Sequence, residues 1–373
     1  MTNWFFVGRV VLKATLLFVT INVVYALTNP LPTVHSVSVY NTLVPGRERL
    51  PYGENPSESY NITILQVEGM FTSHILNDAD KKNDEYRVFL VGDSSVWGWL
   101  LDEDETLSAC LNRANLKTPD GEKIHVYNLG YPILDATKDL LLLQHGLQYE
   151  PDMVVWLVTM ASLYPYEQLI HDVVRANPEK VRELIDRYNL ALNPDELPGS
   201  PNFWERTLVG QRKDLAEWLR FQMYGLGWAT TDIDYRSPEF FHPVQSSLYD
   251  STMLFDGRDE QVLTRADFSF DVIAAGVDMA QEAGAEVLIV NQPMFVSSGV
   301  NSDKRYNFYY PRWAYDMYHT MIAELASENG WQYADYWDAI PNEAYTDSSF
   351  HATPEATCDF ALLLGGEIQR SAP

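Results

Sequence analysis

The residues best suited to chemistry in this sequence are one serine and one histidine that stand far apart along the chain. Ser94 follows a short apolar run in FLVGDSSVWG (89–98), and His351 precedes a helical pattern in YTDSSFHATPEA (345–356). A serine hydroxyl becomes a nucleophile when a base removes its proton, and histidine is suited to that task near neutral pH. Asp347 is available to orient the imidazole. The pattern predicts that Ser94 attacks, His351 shuttles the proton and Asp347 steadies the ring.

Short apolar runs alternate with helical patterns from residue 86 onwards, and these elements must position the two residues. We predict strands in YRVFLVG (86–92), KIHVYNLG (123–130), DMVVWLV (152–158), EVLIVNQP (286–293) and WQYADYW (331–337). Helical patterns occupy 103–115, 135–148, 269–284, 311–330 and 353–366. Strands that alternate with helices form a parallel sheet with helices on both faces, and active groups collect beyond the carboxyl ends of its strands. Ser94 and the loop that carries His351 are therefore predicted at the same edge.

Two segments interrupt this alternation. Residues 29–85 are rich in Pro, Asn, Gly and Ser and predict an extended lead-in with little regular structure. Residues 163–265 predict a helical insertion, a cap or lid, so that the α/β domain comprises 86–162 and 266–373. An apolar run within the insertion, 218–228, predicts burial against the main domain, with membrane-surface contact or a partner helix as alternatives.

The charge of the chain limits its partners. Lys and Arg number 26 against 52 Asp and Glu, which gives a net charge of −26. So acidic a surface repels polyphosphate, and nucleic acid is excluded as a partner. Cys and His residues show no metal-ligand spacing, so neither a metal nor another cofactor is predicted.

The first 28 residues are apolar and carry only Arg9 and Lys13 as charges. They predict a signal-anchor or transmembrane helix, because the stretch from residue 4 to 28 is long enough to span a bilayer if the two cations reach the headgroups. A signal peptide cleaved after Val24-Tyr25-Ala26, and a buried core helix, are the alternatives. The basic flank precedes the apolar run, which places the body on the extracytoplasmic side, anchored by a single pass or secreted after cleavage.

Several motifs together resemble the SGNH, or GDSL, hydrolase superfamily. They are Gly92-Asp93-Ser94 after the first strand, Gly130 in YNLGYP after the second, and a late Asp and His before a helix. The resemblance implies a flavodoxin-like three-layer α/β/α sandwich and esterase, lipase or acetyl-ester hydrolase chemistry without a metal. It further implies that Ser94 is the nucleophile and first oxyanion donor, through its backbone N–H, and that Gly130 supplies a second donor.

The sequence departs from the superfamily pattern at two places. Ala161 stands where the superfamily has an asparagine that completes the oxyanion hole, and loss of one such donor costs about 10²- to 10³-fold in rate. Ser162 and Asn128 are candidates to compensate. Ser348 stands where the superfamily has its aspartate, so Asp347 either acts through a looped-out residue or the acid is missing.

Further polar residues near the predicted edge are candidates for substrate binding. Asp93 adjoins the nucleophile, and Asn291 and Arg305 lie in the stretch 291–313, whose donors, acceptors and aromatic faces suit a carbohydrate or a polar acyl group. Arg305 could pair an anionic group of the substrate or neighbouring Asp303.

The chain has two cysteines, Cys110 and Cys358. In the flavodoxin-like order, the first and last helices of the domain share one face of the sheet, so a disulfide between them is possible, as are two unrelated thiols.

Two functional hypotheses follow. The first is an extracytoplasmic SGNH-type serine esterase or O-acyltransferase that acts on acylated glycans or lipids of the cell envelope. The second is a catalytically impaired SGNH-like scaffold that serves as a glycan-binding or accessory subunit of a membrane complex, which Ala161 and Ser348 favour.

Overall fold

The computed structural model describes residues 4–35, 37, 39–43, 46–52, 65–78, 80–229, 244, 253–255, 257–258 and 261–372. The strands are β1 (Glu85–Val91), β2 (Lys123–Asn128), β3 (Met153–Val158), β4 (Glu286–Asn291) and β5 (Gln332–Asp335). The first seven helices are α1 (Trp4–Thr28), α2 (Leu31–His35), α3 (Val39–Leu43), α4 (Val67–Phe71), α5 (Ser94–Trp97), α6 (Leu107–Arg113) and α7 (Ala136–Gly146). The others are α8 (Asp172–Ala176), α9 (Pro178–Tyr188), α10 (Arg212–Ala229), α11 (Phe270–Glu282), α12 (Arg312–Asn329) and α13 (Pro354–Ser371).

The five strands form one sheet in the order β2-β1-β3-β4-β5, and every neighbouring pair is parallel. The order reverses between β1 and β3, and ligand sites of open α/β sheets lie at such a reversal, beyond the carboxyl ends of the strands. Ser94 follows β1 at this point. The predicted five-stranded parallel sheet is confirmed.

Helices cover both faces of the sheet because consecutive strand residues point to opposite sides. Phe89 and Val91 of β1 join a core with α4, α7, α11 and α12, whereas Val88 and Leu90 join a second core with α6 and α13. These two cores confirm the predicted three-layer α/β/α sandwich.

Between β3 and β4 the structure describes α8, α9 and α10. Val173, Val181 and Leu184 of α8 and α9 are buried in the core that includes α7. This part of the predicted insertion therefore extends the helical layer beside the sheet. Residues 230–243 and 245–252 of the insertion lie outside the described residues.

Helix α1 is the one described helix that is long and apolar enough to cross a membrane. It has a mean hydropathy of 2.1 over its most apolar window, of which only 6% is buried. The predicted N-terminal apolar helix is confirmed as a structural element, with its side chains displayed rather than packed in the core.

The lead-in has more regular structure than predicted, because its described part contains the short helices α2, α3 and α4. One of its segments, 46–52, packs on the turn that carries Ser94. The Arg49 guanidinium lies 4.5 Å from the centre of the Trp97 ring, and its Nη1 donates to Gly98 O at 3.1 Å. Trp97 Nε1 in turn donates to Leu50 O at 2.8 Å. Segment 46–52 thus supports the turn from outside the sheet.

Two buried histidines hold loops near this edge in their neutral form. His74 Nδ1 accepts from Leu76 N–H at 3.2 Å, and its Nε2 lies 3.0 Å from Asn128 O. His171 has the same arrangement, since its Nδ1 accepts from Val173 N–H at 3.1 Å and its Nε2 lies 3.2 Å from Pro132 O. Protonation of Nδ1 would place a proton against an N–H donor, so both sites require the neutral ring.

A disulfide joins Cys110 of α6 to Cys358 of α13, at a sequence separation of 248 residues. The structure thus pairs the two cysteines that the sequence left open. A cross-link over so long a loop restricts the unfolded chain, which stabilises the folded state by about 5 kcal/mol in the chain-entropy account.

We expect Cys110→Ser to lower the denaturation midpoint relative to the oxidised protein, because the cross-link no longer restricts the unfolded chain. Guanidinium unfolding of both proteins, with and without reductant, measures the effect. Reductant should shift the native protein and leave the variant unchanged. Two titratable thiols in the untreated native protein would contradict the pairing.

We expect the free energy of unfolding to fall between pH 7 and pH 5, by roughly 2 kcal/mol for each of His74 and His171. Burial lowers the folded-state pKa to about 4 for His74 and about 3 for His171, against 6.5 for a free side chain. Their contribution is complete above pH 6.5 and is lost as pH falls towards the folded-state values. Urea unfolding at both pH values tests this, and replacement of both histidines by glutamine should reduce the dependence; an equally steep dependence in that variant contradicts it.

Candidate active site

Ser94 is the first residue of α5 and the third residue after the end of β1. Gly92, at φ +157°, makes the turn; a Cβ there would lie 2.7 Å from Val96 Cγ2 and 3.1 Å from Leu157 O, so only glycine fits. Asp93 caps the helix, since its Oδ1 accepts from Ser95 N–H at 2.7 Å. The turn therefore holds the Ser94 side chain at the carboxyl edge of the sheet.

The loop before α13 brings His351 to Ser94. Ser94 Oγ lies 2.7 Å from His351 Nε2, and His351 Nδ1 lies 2.7 Å from Asp347 Oδ1. Since a carboxylate only accepts, Nδ1 carries the ring proton and Nε2 accepts from the serine hydroxyl. The arrangement can remove the serine proton as the hydroxyl attacks an electrophile.

The Asp347 carboxylate has a second donor, Trp99 Nε1, which is 3.3 Å from Oδ2. Burial by itself raises the pKa of Asp347, but the hydrogen bond from His351 and its charge outweigh burial and lower it below the usual value. Asp347 therefore remains a carboxylate able to orient the ring.

The loop accommodates Ser348 without displacing Asp347. Thr346 N–H donates to His351 O at 2.8 Å and closes the loop, and Ser348 Oγ accepts from Phe350 N–H at 3.1 Å inside it. Thr353 then caps α13, where Pro354 is the first residue. Of the two alternatives drawn from the sequence, the looped-out residue describes this geometry.

Gly130 does not offer the donor that the resemblance implies. Its N–H already donates to Asn128 Oδ1 at 3.0 Å, and the Asn128 amide donates to Val96 O at 2.8 Å. A Cβ on Gly130 would lie 2.5 Å from Trp97 N, so close packing against α5 requires glycine here. Asn128 and Gly130 lock two loops together and leave no free donor for a substrate oxygen.

The other polar candidates are engaged in the same way, because each is buried and bonded within the protein. Asp93 Oδ2 accepts from Gln292 Nε2 at 2.8 Å, and Ser162 Oγ accepts from Thr159 N–H at 3.3 Å. Neither residue lines the cavity beside Ser94.

Asn291 and Arg305 are likewise structural. Asn291 Nδ2 donates to Asp335 Oδ1 at 3.0 Å, which joins the ends of β4 and β5. Arg305 Nη2 donates to Phe308 O at 2.6 Å and Nε to Asn307 O at 3.2 Å, so the guanidinium supports its own loop. Among the described residues, Arg305 contacts these carbonyls and forms no ion pair with Asp303. Its pairing with an anionic group of a substrate stays a prediction.

A cavity of about 360 Å³, open to solvent, lies beside Ser94 and His351. Its walls are mainly aromatic and aliphatic: Tyr52, Trp99, Pro132, Ile133, Leu134, Ala161, Tyr164, Tyr309 and Phe350, with Glu167 and Ser348 as polar members. Burial and nearby carboxylates raise the pKa of Tyr309, which keeps its hydroxyl a donor. The sequence indicated Tyr309 only through its position within the stretch 291–313, which was predicted to bind substrate. Nothing in the sequence indicated Glu167.

The sequence also contains no indication of a buried lysine that lies beneath the site. The Lys138 side chain is fully buried, and its Nζ donates to Gly92 O at 3.1 Å and Ile133 O at 2.9 Å. It forms an ion pair with Asp139 at 2.8 Å. Lys138 therefore ties the nucleophile turn to the loop that lines the cavity, and its charge lies behind that turn.

No group of three or more His, Cys, Asp and Glu side chains that could hold a metal ion occurs in the part of the chain that the structure describes. The hydrogen-bonded chain of Ser94, His351 and Asp347 supplies proton transfer from side chains alone.

The fold and the site together form the SGNH-like arrangement that the resemblance implies, with the serine after β1 and the histidine before the last helix. No family model matches the sequence, and no curated protein matches it. Among solved structures the chain is similar to one described as a lipolytic protein of the G-D-S-L family from Desulfitobacterium hafniense, at 13% identity over 77% of this chain and 99% of that one, with a TM-score of 0.34.

The chain is also similar to a carbohydrate acetylesterase family member from Sinorhizobium meliloti, at 12% identity over 76% of this chain and 98% of that one, with a TM-score of 0.35. An aryl esterase of M. smegmatis gives 13% identity over 76% of this chain and 99% of that one, with a TM-score of 0.35. At these identities the likeness concerns the fold.

We expect Ala161→Asn to raise the rate of ester hydrolysis, by up to about 10²-fold, because it restores a side-chain amide donor to the cavity wall beside Ser94. The measurement is kcat on p-nitrophenyl acetate. Ala161→Val, which adds bulk without a donor, is the matched control. Equal rates for the Asn and Val variants, with both folded, would contradict the assignment of Ala161 to the oxyanion side.

Proposed function

We propose that this protein is an SGNH-type serine esterase, anchored by α1 on the extracytoplasmic side of a membrane, that hydrolyses acyl esters of envelope glycans or lipids. The observation that carries the proposal is the hydrogen-bonded chain from Ser94 through His351 to Asp347, with 2.7 Å at each link. Ser94 and His351 line a solvent-open cavity of about 360 Å³, which can admit an ester.

The reaction begins when Ser94 Oγ bonds to the ester carbonyl carbon and its proton passes to His351 Nε2. The Ser94 backbone N–H faces the developing oxyanion. Collapse of the tetrahedral adduct releases the alcohol, which takes the proton from His351. Water then adds to the acyl carbon, gives a proton to His351 and releases the carboxylic acid, and the proton returns to Ser94 Oγ.

The side chains that line the cavity are suited to a neutral ester with a small apolar acyl group. Aromatic and aliphatic side chains make up most of the lining, and Glu167 contributes the carboxylate. Burial raises the pKa of Glu167, and its oxygens suit the hydroxyl groups of a sugar rather than an anion. Because the cavity opens to solvent, water reaches the acyl-enzyme, which favours hydrolysis over transfer to a second alcohol.

A second candidate is the catalytically impaired SGNH-like scaffold that serves as a glycan-binding or accessory subunit of a membrane complex. One observation favours it: the Gly130 N–H is already bonded, and Ala161 has no side-chain donor. Of the three oxyanion donors that the SGNH pattern implies, the Ser94 N–H is then the one that remains.

We expect a fluorophosphonate probe to label the native protein, because His351 activates the Ser94 hydroxyl for attack on phosphorus. The measurement is intact-protein mass after labelling of the full chain in detergent. Ser94→Ala should abolish the mass increase. Ser95→Ala, one residue further along the same turn, is the matched control and should label as the native protein does. A native protein that takes no label favours the scaffold.

A further inference from the structure

Helix α10 and its neighbours display apolar side chains to solvent beside the end of α1. The predicted burial of the run 218–228 against the main domain is therefore wrong for these side chains. Six of them are between 38% and 69% exposed. We call this set the interfacial patch: Val37, Val209, Leu219, Met223, Tyr224 and Leu226. An exposed patch of this kind marks an interaction surface.

The patch is continuous with the candidate membrane span. Val209 N–H donates to Asn22 Oδ1 at 3.0 Å, and Asn22 is only 8% exposed. Asn22 lies six residues before Thr28, the end of α1, which corresponds to about 9 Å along the helix. Amphipathic helices at membrane surfaces bury their apolar face about 5–10 Å into the boundary between headgroups and acyl chains. The contact between Val209 and α1 therefore lies about as far from the end of the span as an amphipathic helix penetrates the membrane surface.

Two hydrogen bonds hold α10 to the chain that leaves the span. Trp218 Nε1 donates to Val37 O at 3.0 Å, and Gln222 Oε1 accepts from Val39 N–H at 2.6 Å. These contacts fix α10 next to the end of α1. A bilayer that surrounds α1 would reach the patch without any rearrangement of the protein.

The charges on α10 suit a membrane surface as well. Exposed Arg212, Lys213 and Arg220 outnumber Asp214 and Glu217, whereas the chain as a whole carries −26. A helix with cations beside an exposed apolar face matches a surface of anionic headgroups.

We propose that the interfacial patch lies in the headgroup region of the bilayer that α1 spans, and that its occupant is a lipid surface with anionic headgroups. The inference rests on the proposed anchoring by α1. It adds a second contact, which fixes the orientation of the α/β domain over the membrane.

The test uses single cysteines in the full chain, because the native cysteines are paired and none of the described residues is a free cysteine. Met223→Cys and Leu219→Cys report on the patch, and Asp120→Cys, on an exposed turn of the α/β domain, is the control. Each variant carries an environment-sensitive fluorophore and is reconstituted into vesicles of phosphatidylcholine and phosphatidylglycerol that contain lipids spin-labelled near the headgroup.

We expect the labels at 219 and 223 to be quenched and blue-shifted in vesicles, and the label at 120 to remain as in water. Labels at 219 and 223 that stay solvent-like in protein that floats with the vesicles would overturn the proposal while leaving anchoring intact. Labels already shielded in detergent by a second copy of the chain would also overturn it. Flotation tests the anchor, and fluorophosphonate labelling of the same samples tests the esterase, so the three failures are distinguishable.

Discussion

The hydrogen bond between Ser94 Oγ and His351 Nε2 joins segments 257 residues apart, and the candidate chemistry depends on it. No local preference could bring these residues together. The parallel sheet does so, because the carboxyl ends of its strands meet at one edge and the loop before α13 returns to that edge. The lead-in, the disulfide and Lys138 each hold one of the segments that meet there.

The sequence predicted the sheet, the layers and the residues of the hydrogen-bonded chain because each leaves a local pattern. Apolar runs of strand length reveal β1 and β3, and a serine or a histidine at the end of an element is visible in the letters alone. Hydrogen-bond partners leave no such pattern. Whether Gly130 N–H faces a substrate or Asn128 depends on a loop conformation that only the packed structure determines.

Several polar residues that the sequence suggested for substrate binding do not line the cavity, and the reason is the same for each. Asp93, Asn291 and Arg305 occupy the crowded edge of the sheet, where strand and helix ends leave backbone groups to be satisfied. Asp93 accepts from a backbone N–H, and Arg305 donates to two backbone carbonyls. Asn291 donates instead to the Asp335 carboxylate. All three side chains are buried. Lys138 is the extreme case, since a buried ammonium serves carbonyls from two loops. Type and position in a sequence do not separate a residue that binds a ligand from one that satisfies the backbone.

The disulfide between α6 and α13 has a consequence for when the protein matures. Cys110 follows the nucleophile by 16 residues and Cys358 follows the base by 7, so one covalent bond links the neighbourhoods of both. In a reducing compartment the disulfide is absent, and packing alone holds Ser94 and His351 at hydrogen-bonding distance. With the proposed extracytoplasmic location, oxidation would complete this link only after export, so that a newly made chain would gain its full rigidity at its destination.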